Sequence, residues 1–219
     1  MLSSLNQYKN SFKYYTELRV QENRNIRIGL LNGNLISNDQ SIESGVSSRV
    51  FKDGDWGFSS NANINNSTIE KVINSSTENA TFLNSRNINK CGILLPEDTF
   101  SHEFDFTTKK NKNPNSFWIS FIKDLDSYIT DKYKQITSRK IFISNLDMEK
   151  NLLTSTGAES YSMTPRSLLY MILTVENHGQ PVELMDVFGG LGQLEDNFNG
   201  PEIFYPEIDK LFNKLLQKS

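Results

Sequence analysis

Apolar residues recur along this chain with two periods, and the switches between them outline its elements. Leu2, Leu5, Tyr8 and Phe12 fall at helical spacing, which predicts a short amphipathic helix at the start. From Tyr15 the period drops to two. Residues 15–22 and 26–30 alternate as two strands, with Asn23-Arg24-Asn25 read as the turn between them. Asn32-Gly33 signals a hairpin, because both residue types accept positive φ, and Leu35-Ile36-Ser37 continues as a strand. Residues 45–60 supply two more strands around a turn at Asp53-Gly54. A helix begins at 68–74, capped by Asn66, Ser67 or Thr68.

Turn formers are dense over 84–113, with Pro96-Glu97-Asp98 and Asn113-Pro114-Asn115 among them, and this stretch reads as connection. Beyond it Phe117, Trp118, Phe121, Ile122, Leu125 and Ile129 repeat near i, i+3, i+4 and i+7, which predicts a helix over about 114–135. Strands are expected at 140–144, 149–154, 159–163 and 167–176, the last so continuously apolar that it should be buried on both faces. His178-Gly179 marks a turn, 180–188 returns as a strand, and 207–216 forms a final amphipathic helix with Pro206 near its first turn. The pattern predicts an α+β chain of two similar subdomains, 1–90 and 114–219, joined by 91–113. Each is an antiparallel sheet of short strands flanked by helices. The shared order of helix, meander and helix suggests a structural duplication.

The chain has 219 residues, with Phe 14, Tyr 8 and Trp 2 to anchor a core. Its net charge of −3 and pI near 5.5 argue against direct nucleic-acid binding. The densest basic run, Lys109-Lys110-Asn111-Lys112, reads as a solvated loop. The single cysteine, Cys91, permits no disulfide within the chain, fits a reducing cytoplasmic setting, and reads as a buried inert thiol. No signal peptide and no run of about 18 apolar residues is visible, so no membrane association is expected.

The candidate chemistry is sparse. His102-Glu103 lacks the second histidine one turn later that a zinc-binding helix needs. With His178 and Cys91 scattered, no metal site is expected within this chain, and no catalytic residue is assigned. Gly189, Gly190 and Gly192 are followed by Glu195 and Asp196, which would repel phosphate; a loop permitting close backbone approach is the better reading. Trp56-Gly57-Phe58 reads either as a hairpin packing aromatics on the core or as the wall of a peptide channel. Arg49, Asp53 and Gly54 belong to the same candidate group.

The block 45–60 resembles the N-terminal region of the TldD/PmbA proteins, also called modulators of DNA gyrase. Tyr15-Thr16-Glu17-Leu18-Arg19-Val20-Gln21, the Asn32-Gly33 turn, Leu152-Leu153-Thr154-Ser155-Thr156-Gly157 and Phe188-Gly189-Gly190-Leu191-Gly192 extend the resemblance in the right order from about Tyr15 to the end. The resemblance implies a family of zinc metallopeptidases about twice this length. These proteins often work as hetero-oligomeric pairs, degrade flexible peptides and mature peptide antibiotics. Their metal motif, His-Glu followed three residues later by His, belongs to a C-terminal domain, and no position here matches it. The chain is therefore expected to be the non-catalytic N-terminal part of such a protein, as a fragment or a shortened gene product. It would enclose a peptide substrate and assemble as a homo- or hetero-oligomer with a family member, with zinc a property of the full-length proteins. A stand-alone regulatory protein that pairs with a full-length homologue is the alternative.

Overall fold

The computed structural model describes Leu2, residues 4–88 and residues 99–219. Cys91 and the first part of the expected connection lie outside the described residues. The chain is α+β. In order it runs through a 3-10 helix (Asn6–Ser11), β1 (Tyr15–Leu31), β2 (Asn34–Lys52), β3 (Asp55–Asn61), α1 (Asn66–Arg86), β4 (Ser101–Asp105) and α2 (Asn115–Lys132). There follow β5 (Ile136–Thr154), β6 (Glu159–Asn177), β7 (Gln180–Leu191), α3 (Leu194–Asn197), a second 3-10 helix (Pro201–Phe204) and α4 (Tyr205–Lys218). The sheet order is β3-β2-β1-β5-β6-β4, with β7 also paired to β6.

The strands are long rather than short. Asn23-Arg24-Asn25 makes no turn but continues β1, which lies between β2 and β5 and is held extended by partners on both sides. Cross-strand pairing outweighs the turn preference of asparagine. The segments at 35–37 and 45–52 likewise merge into β2, and 140–144 merges with 149–154 into β5. Pro165 does not break β6. β4 pairs with Ser160, Tyr161 and their neighbours up to Met163, and β7 pairs from Arg166 onward. The proline's missing N–H thus falls between two partners, and its carbonyl accepts the Gly192 N–H at 3.0 Å. Nor is β6 buried on both faces along the expected run. Leu169, Met171 and Leu173 are buried, whereas Leu168, Tyr170 and Ile172 are half-buried. The stretch 84–113 holds the end of α1 and all of β4, so His102 sits on a strand.

The three predicted hairpin turns have φ values of 49° and 79° at Asn32-Gly33, 45° and 103° at Asp53-Gly54, and 50° and 79° at His178-Gly179. Positive φ at both central residues matches the turn twist to the strand twist. By contacts the chain forms two compact units that interleave along the sequence. One holds residues 1–23, 42–106 and 148–164, and the other holds 24–41, 107–147 and 165–219. This is a different cut from one at 91–113, because the long strands contribute to both units.

In the first unit α1 lies on the sheet. Ile69, Val72 and Ile73 pack with Leu18, Val20, Val46 and Leu153. Asn65 caps the helix, its side chain accepting the Thr68 N–H at 2.9 Å. The buried Ser76 and Ser48 hydroxyls pair at 2.9 Å across the helix–sheet contact. Gly57 permits the close approach: a Cβ there would lie 2.1 Å from the Ser76 carbonyl oxygen and 2.3 Å from the Ala80 nitrogen.

The second unit is built around α2 and α4. Trp118, Phe121, Ile122, Leu125 and Ile129 of α2 pack with Ile208, Leu211, Phe212 and Leu215 of α4 over Ile141, Ile143, Leu169, Met171 and Leu173. Asp209 ties the two helices together by accepting from the Tyr128 hydroxyl (2.8 Å), Lys132 Nζ (2.7 Å) and the Tyr133 hydroxyl (2.5 Å). Burial works against ionisation of Asp209, but these three donors outweigh it and hold its carboxyl below the usual range. Burial first, and then the Asp209 carboxylate, pushes the Tyr133 hydroxyl up to about 12.

Gly57→Ala should lower stability by about 1–3 kcal/mol or more, because helix and strand must separate to admit the methyl group; urea denaturation measures it. The raised Tyr133 value means that the folded state keeps its proton where the unfolded chain loses it. That contribution is intact below about pH 10 and is lost as pH rises towards about 12. Tyr133→Phe should therefore lose less thermal stability than the wild type between pH 9 and pH 11.5.

Candidate functional site

Because strands alternate, the residues that point away from α1 in the first unit form one surface. On β1 these are Tyr15, Glu17, Arg19 and Gln21, and on β2 they are Ser47, Arg49 and Phe51. The register sets Arg49 opposite Phe58 and Phe51 opposite Trp56 on β3. At its centre the Arg49 guanidinium grips Glu17 with both prongs, Nε to Oε2 at 2.5 Å and Nη2 to Oε1 at 2.9 Å. The same guanidinium lies 4.9 Å from the Trp56 ring centroid. Tyr15 meets Trp56 edge-on at 6.0 Å, and Phe51 lies 5.1 Å from it. The Tyr15 hydroxyl donates to Glu17 at 3.1 Å. Its ionisation is pushed up by burial and then by the Glu17 carboxylate.

Phe58 is 59% exposed beside this cluster. With Glu17, Arg19, Ser47, Arg49 and Leu152 it lines a hollow of about 250 Å³. A wider, more open hollow of about 620 Å³ adjoins it, sharing Arg19 and Ser47 and bordered by Gln21, Glu43 and Asn61. The surface thus offers aromatic rings, a neutralised arginine, and in Arg19 a cation with no ion pair among the described residues. Such a face can bind a flexible chain by stacking and hydrogen bonding; it holds no nucleophile activated by a neighbouring base.

Of the candidates in the hairpin, Arg49, Trp56 and Phe58 share this face. Asp53, Gly54 and Gly57 do other work. The Asp53 and Lys52 carbonyls accept from Asn84 Nδ2, each at 3.3 Å, and Asp55 accepts from Asn84 and Asn87, which ties the turn to the end of α1. Tyr15, Glu17, Arg19, Ser47 and Leu152 lie in motifs that carry the resemblance but were not named as site residues from the sequence. The alternation at 15–21 puts the first three on one side of a strand, but only pairing with β2 and β3 brings them to Arg49 and Trp56.

The glycine group lies in the second unit. A Cβ on Gly189 would come within 2.2 Å of the Ser167 carbonyl oxygen and 3.1 Å of the Phe198 ring. Gly190 faces open space, and Gly192, at φ 115°, rests on Asp196. Asp196 and Gln193 form the capping box that starts α3. These glycines turn the chain from β7 into α3.

A zinc ion, which the resemblance implies for full-length relatives, does not fit the residues present. Among the described residues no three of His, Cys, Asp and Glu come together as a metal site. His102 stands between Phe100 and Phe104 on β4, and His178 occupies the β6–β7 turn.

Residues 16–80, which supply most of this face, match the family described as PmbA/TldA metallopeptidase domain 1. Over those residues the chain is similar to this family. Solved structures share the fold of this chain at low identity. A proposed modulator of DNA gyrase from Thermotoga maritima superposes with a TM-score of 0.65 at 14% identity, over 80% of this chain and 39% of that one. A second proposed gyrase modulator, from Bacteroides thetaiotaomicron, gives 0.63 at 16% identity, over 97% and 48%. TldE from Thermococcus kodakarensis gives 0.54 at 14% identity, over 84% and 41%. The chain spans less than half the length of each of these proteins. No curated protein matches the chain. Among the described residues no helix is long and apolar enough to cross a membrane.

The Arg49–Glu17 pair is partly exposed, so its contribution to stability is small. Arg49→Ala should cost about 1 kcal/mol or less yet shift the fluorescence of Trp56 by removing the guanidinium from its ring. Trp118, buried in the second unit, should stay constant as an internal reference.

Proposed function

We propose that this chain is a non-catalytic, peptide-handling part of a PmbA/TldD-type protein. The open face of the first unit serves as a wall along which a flexible peptide lies. The observation that carries this reading is the cluster of Arg49, Trp56 and Tyr15 beside a hollow lined by Arg49 and Phe58 on the side of the sheet away from α1. The family match supports it, since the matched domain is described as belonging to a metallopeptidase, and such enzymes act on peptide chains. Proteolysis itself would fall to residues outside this chain. The reading also includes assembly with another family member. The uncovered sheet face of the second unit supports that part: Met185 is 55%, Val187 39% and Leu191 55% exposed, all on the same side of β7. Apolar surface of this kind marks contact sites.

An unfolded, fluorescently labelled polypeptide should bind the purified chain, and a Phe58→Ala, Arg49→Ala double variant should weaken that binding by about tenfold or more. Undiminished binding by a folded double variant would sink the reading. For assembly, Val187→Asp should reduce association with a full-length family member in sedimentation velocity; an unchanged complex would remove that part of the proposal.

A further inference from the structure

Two charged residues line the wider hollow of the first unit, Arg19 and Glu43. Their charges are opposite and both are exposed, yet they do not meet: among the described residues neither forms an ion pair or a side-chain hydrogen bond. The guanidinium keeps all five of its N–H donors for a ligand, and the carboxylate keeps both oxygens. Glu43 and Ser47 are four residues apart on β2, roughly 13 Å along an extended strand. Ser47 and Arg19 share the border with the smaller hollow, whereas Glu43 lines the wider one alone. The two free charges therefore stand towards opposite ends of a space of about 620 Å³.

The walls between them are polar and tied in place. Gln21 Nε2 donates to Asn23 Oδ1 at 3.0 Å, the Ser44 hydroxyl donates to the Ala62 carbonyl at 3.1 Å, and Asn61 Oδ1 accepts the Asn63 N–H at 2.9 Å. Among the described residues Gln21 Oε1 accepts no hydrogen bond and Asn61 Nδ2 donates none. One amide acceptor and one amide donor are thus left over beside the hollow. A free cation at one end, a free carboxylate at the other, and amide groups between them complement a zwitterion that contains peptide groups.

We propose that this hollow binds a free short peptide of three or four residues, its terminal carboxylate on Arg19 and its terminal ammonium on Glu43. An extended chain of that length spans roughly 10–14 Å, which matches the separation along β2. The peptide groups of the ligand meet Gln21 and Asn61, so its side chains matter little. The site goes beyond the peptide wall: it takes a ligand by its two ends, whereas the wall holds the middle of a long chain. Hydrolysis of a polypeptide is the class of reaction that supplies such ligands.

The test is isothermal titration calorimetry of the whole chain at low ionic strength, where exposed charges are least screened. Trialanine should bind, and N-acetylation or C-amidation should each weaken its binding by about threefold to tenfold. Arg19→Gln should bring trialanine down to the level of its amide and abolish the difference between the two. Glu43→Gln should do the same for the acetylated form, and both variants should keep the far-UV circular dichroism of the wild type. Equal binding of the free and blocked forms by the wild type overturns the proposal. So does undiminished trialanine binding by either folded variant, or no binding at millimolar trialanine. The Phe58→Ala, Arg49→Ala double variant should bind trialanine unchanged, so the two readings fail separately. If unfolded polypeptide binds as expected of the wall but trialanine is not held by its ends, this site is wrong and the wall stands. If trialanine behaves as expected and no unfolded polypeptide binds, the wall falls and this site stands.

Discussion

A β-strand sends successive side chains to opposite faces, and in each unit of this protein helices cover only one of those faces. Leu18, Val20 and Val46 go beneath α1, so Glu17, Arg19, Ser47 and Arg49 are left on the uncovered side. In the second unit Ile141, Ile143, Leu169, Met171 and Leu173 go beneath α2 and α4, and Met185, Val187 and Leu191 face away. Each buried aliphatic side chain contributes about 1.5–3 kcal/mol relative to exposure. A slip of one residue in register would exchange the two faces and forfeit that contribution along a whole strand. The covered face therefore fixes the register, and the register decides which residues are presented on the other side.

The two uncovered faces differ in kind. In the first unit the surface is polar and aromatic: an arginine held between a carboxylate and an indole, an exposed phenylalanine, and hollows lined by hydroxyl, amide and guanidinium groups. Weak, adaptable contacts of this sort suit a chain that has to be held without being recognised residue by residue. In the second unit β7 presents aliphatic side chains, which gain most from a fixed and fitting partner. The contrast is one of surface chemistry: rings and hydrogen-bonding groups on one face, apolar side chains on the other. Among the described residues, neither face groups the histidines and carboxylates that hydrolytic metal chemistry requires.

Gly57 shows how closely the hairpin of the first unit is built. Its neighbours in sequence, Trp56 and Phe58, point to the uncovered side, while the glycine itself lets α1 settle onto the strand. Of Trp56-Gly57-Phe58, the glycine packs against α1, and the two aromatics lie on the other face instead of packing beneath the helix. The second unit depends on polar ties of a different sort. Asp209 gathers Tyr128, Lys132 and Tyr133, and the Arg139–Asp126 pair, with contacts of 2.7 and 3.1 Å, anchors β5 to α2.

Local chemistry was enough to place the longer helices and the three hairpin turns. The 3.6-residue period of Phe117, Trp118, Phe121, Ile122 and Leu125 marked α2 to within a few residues, because the periodicity is set by one buried stripe. Asn32-Gly33, Asp53-Gly54 and His178-Gly179 marked the hairpins, because positive φ is a property of the residue itself. The α+β class and the PmbA/TldD resemblance were also legible in the order of motifs. Strand length was not: Asn23-Arg24-Asn25 and Pro165 read as breaks, and only partners on neighbouring strands, or a gap between partners, carry the chain straight through them. The site was half visible. Arg49, Trp56 and Phe58 stood out within one hairpin, but Glu17, Tyr15 and Leu152 reach them from other strands. Side-chain periodicity is written into each segment of a sequence; which segments lie side by side is decided only when they pair, and the two uncovered faces are products of that pairing.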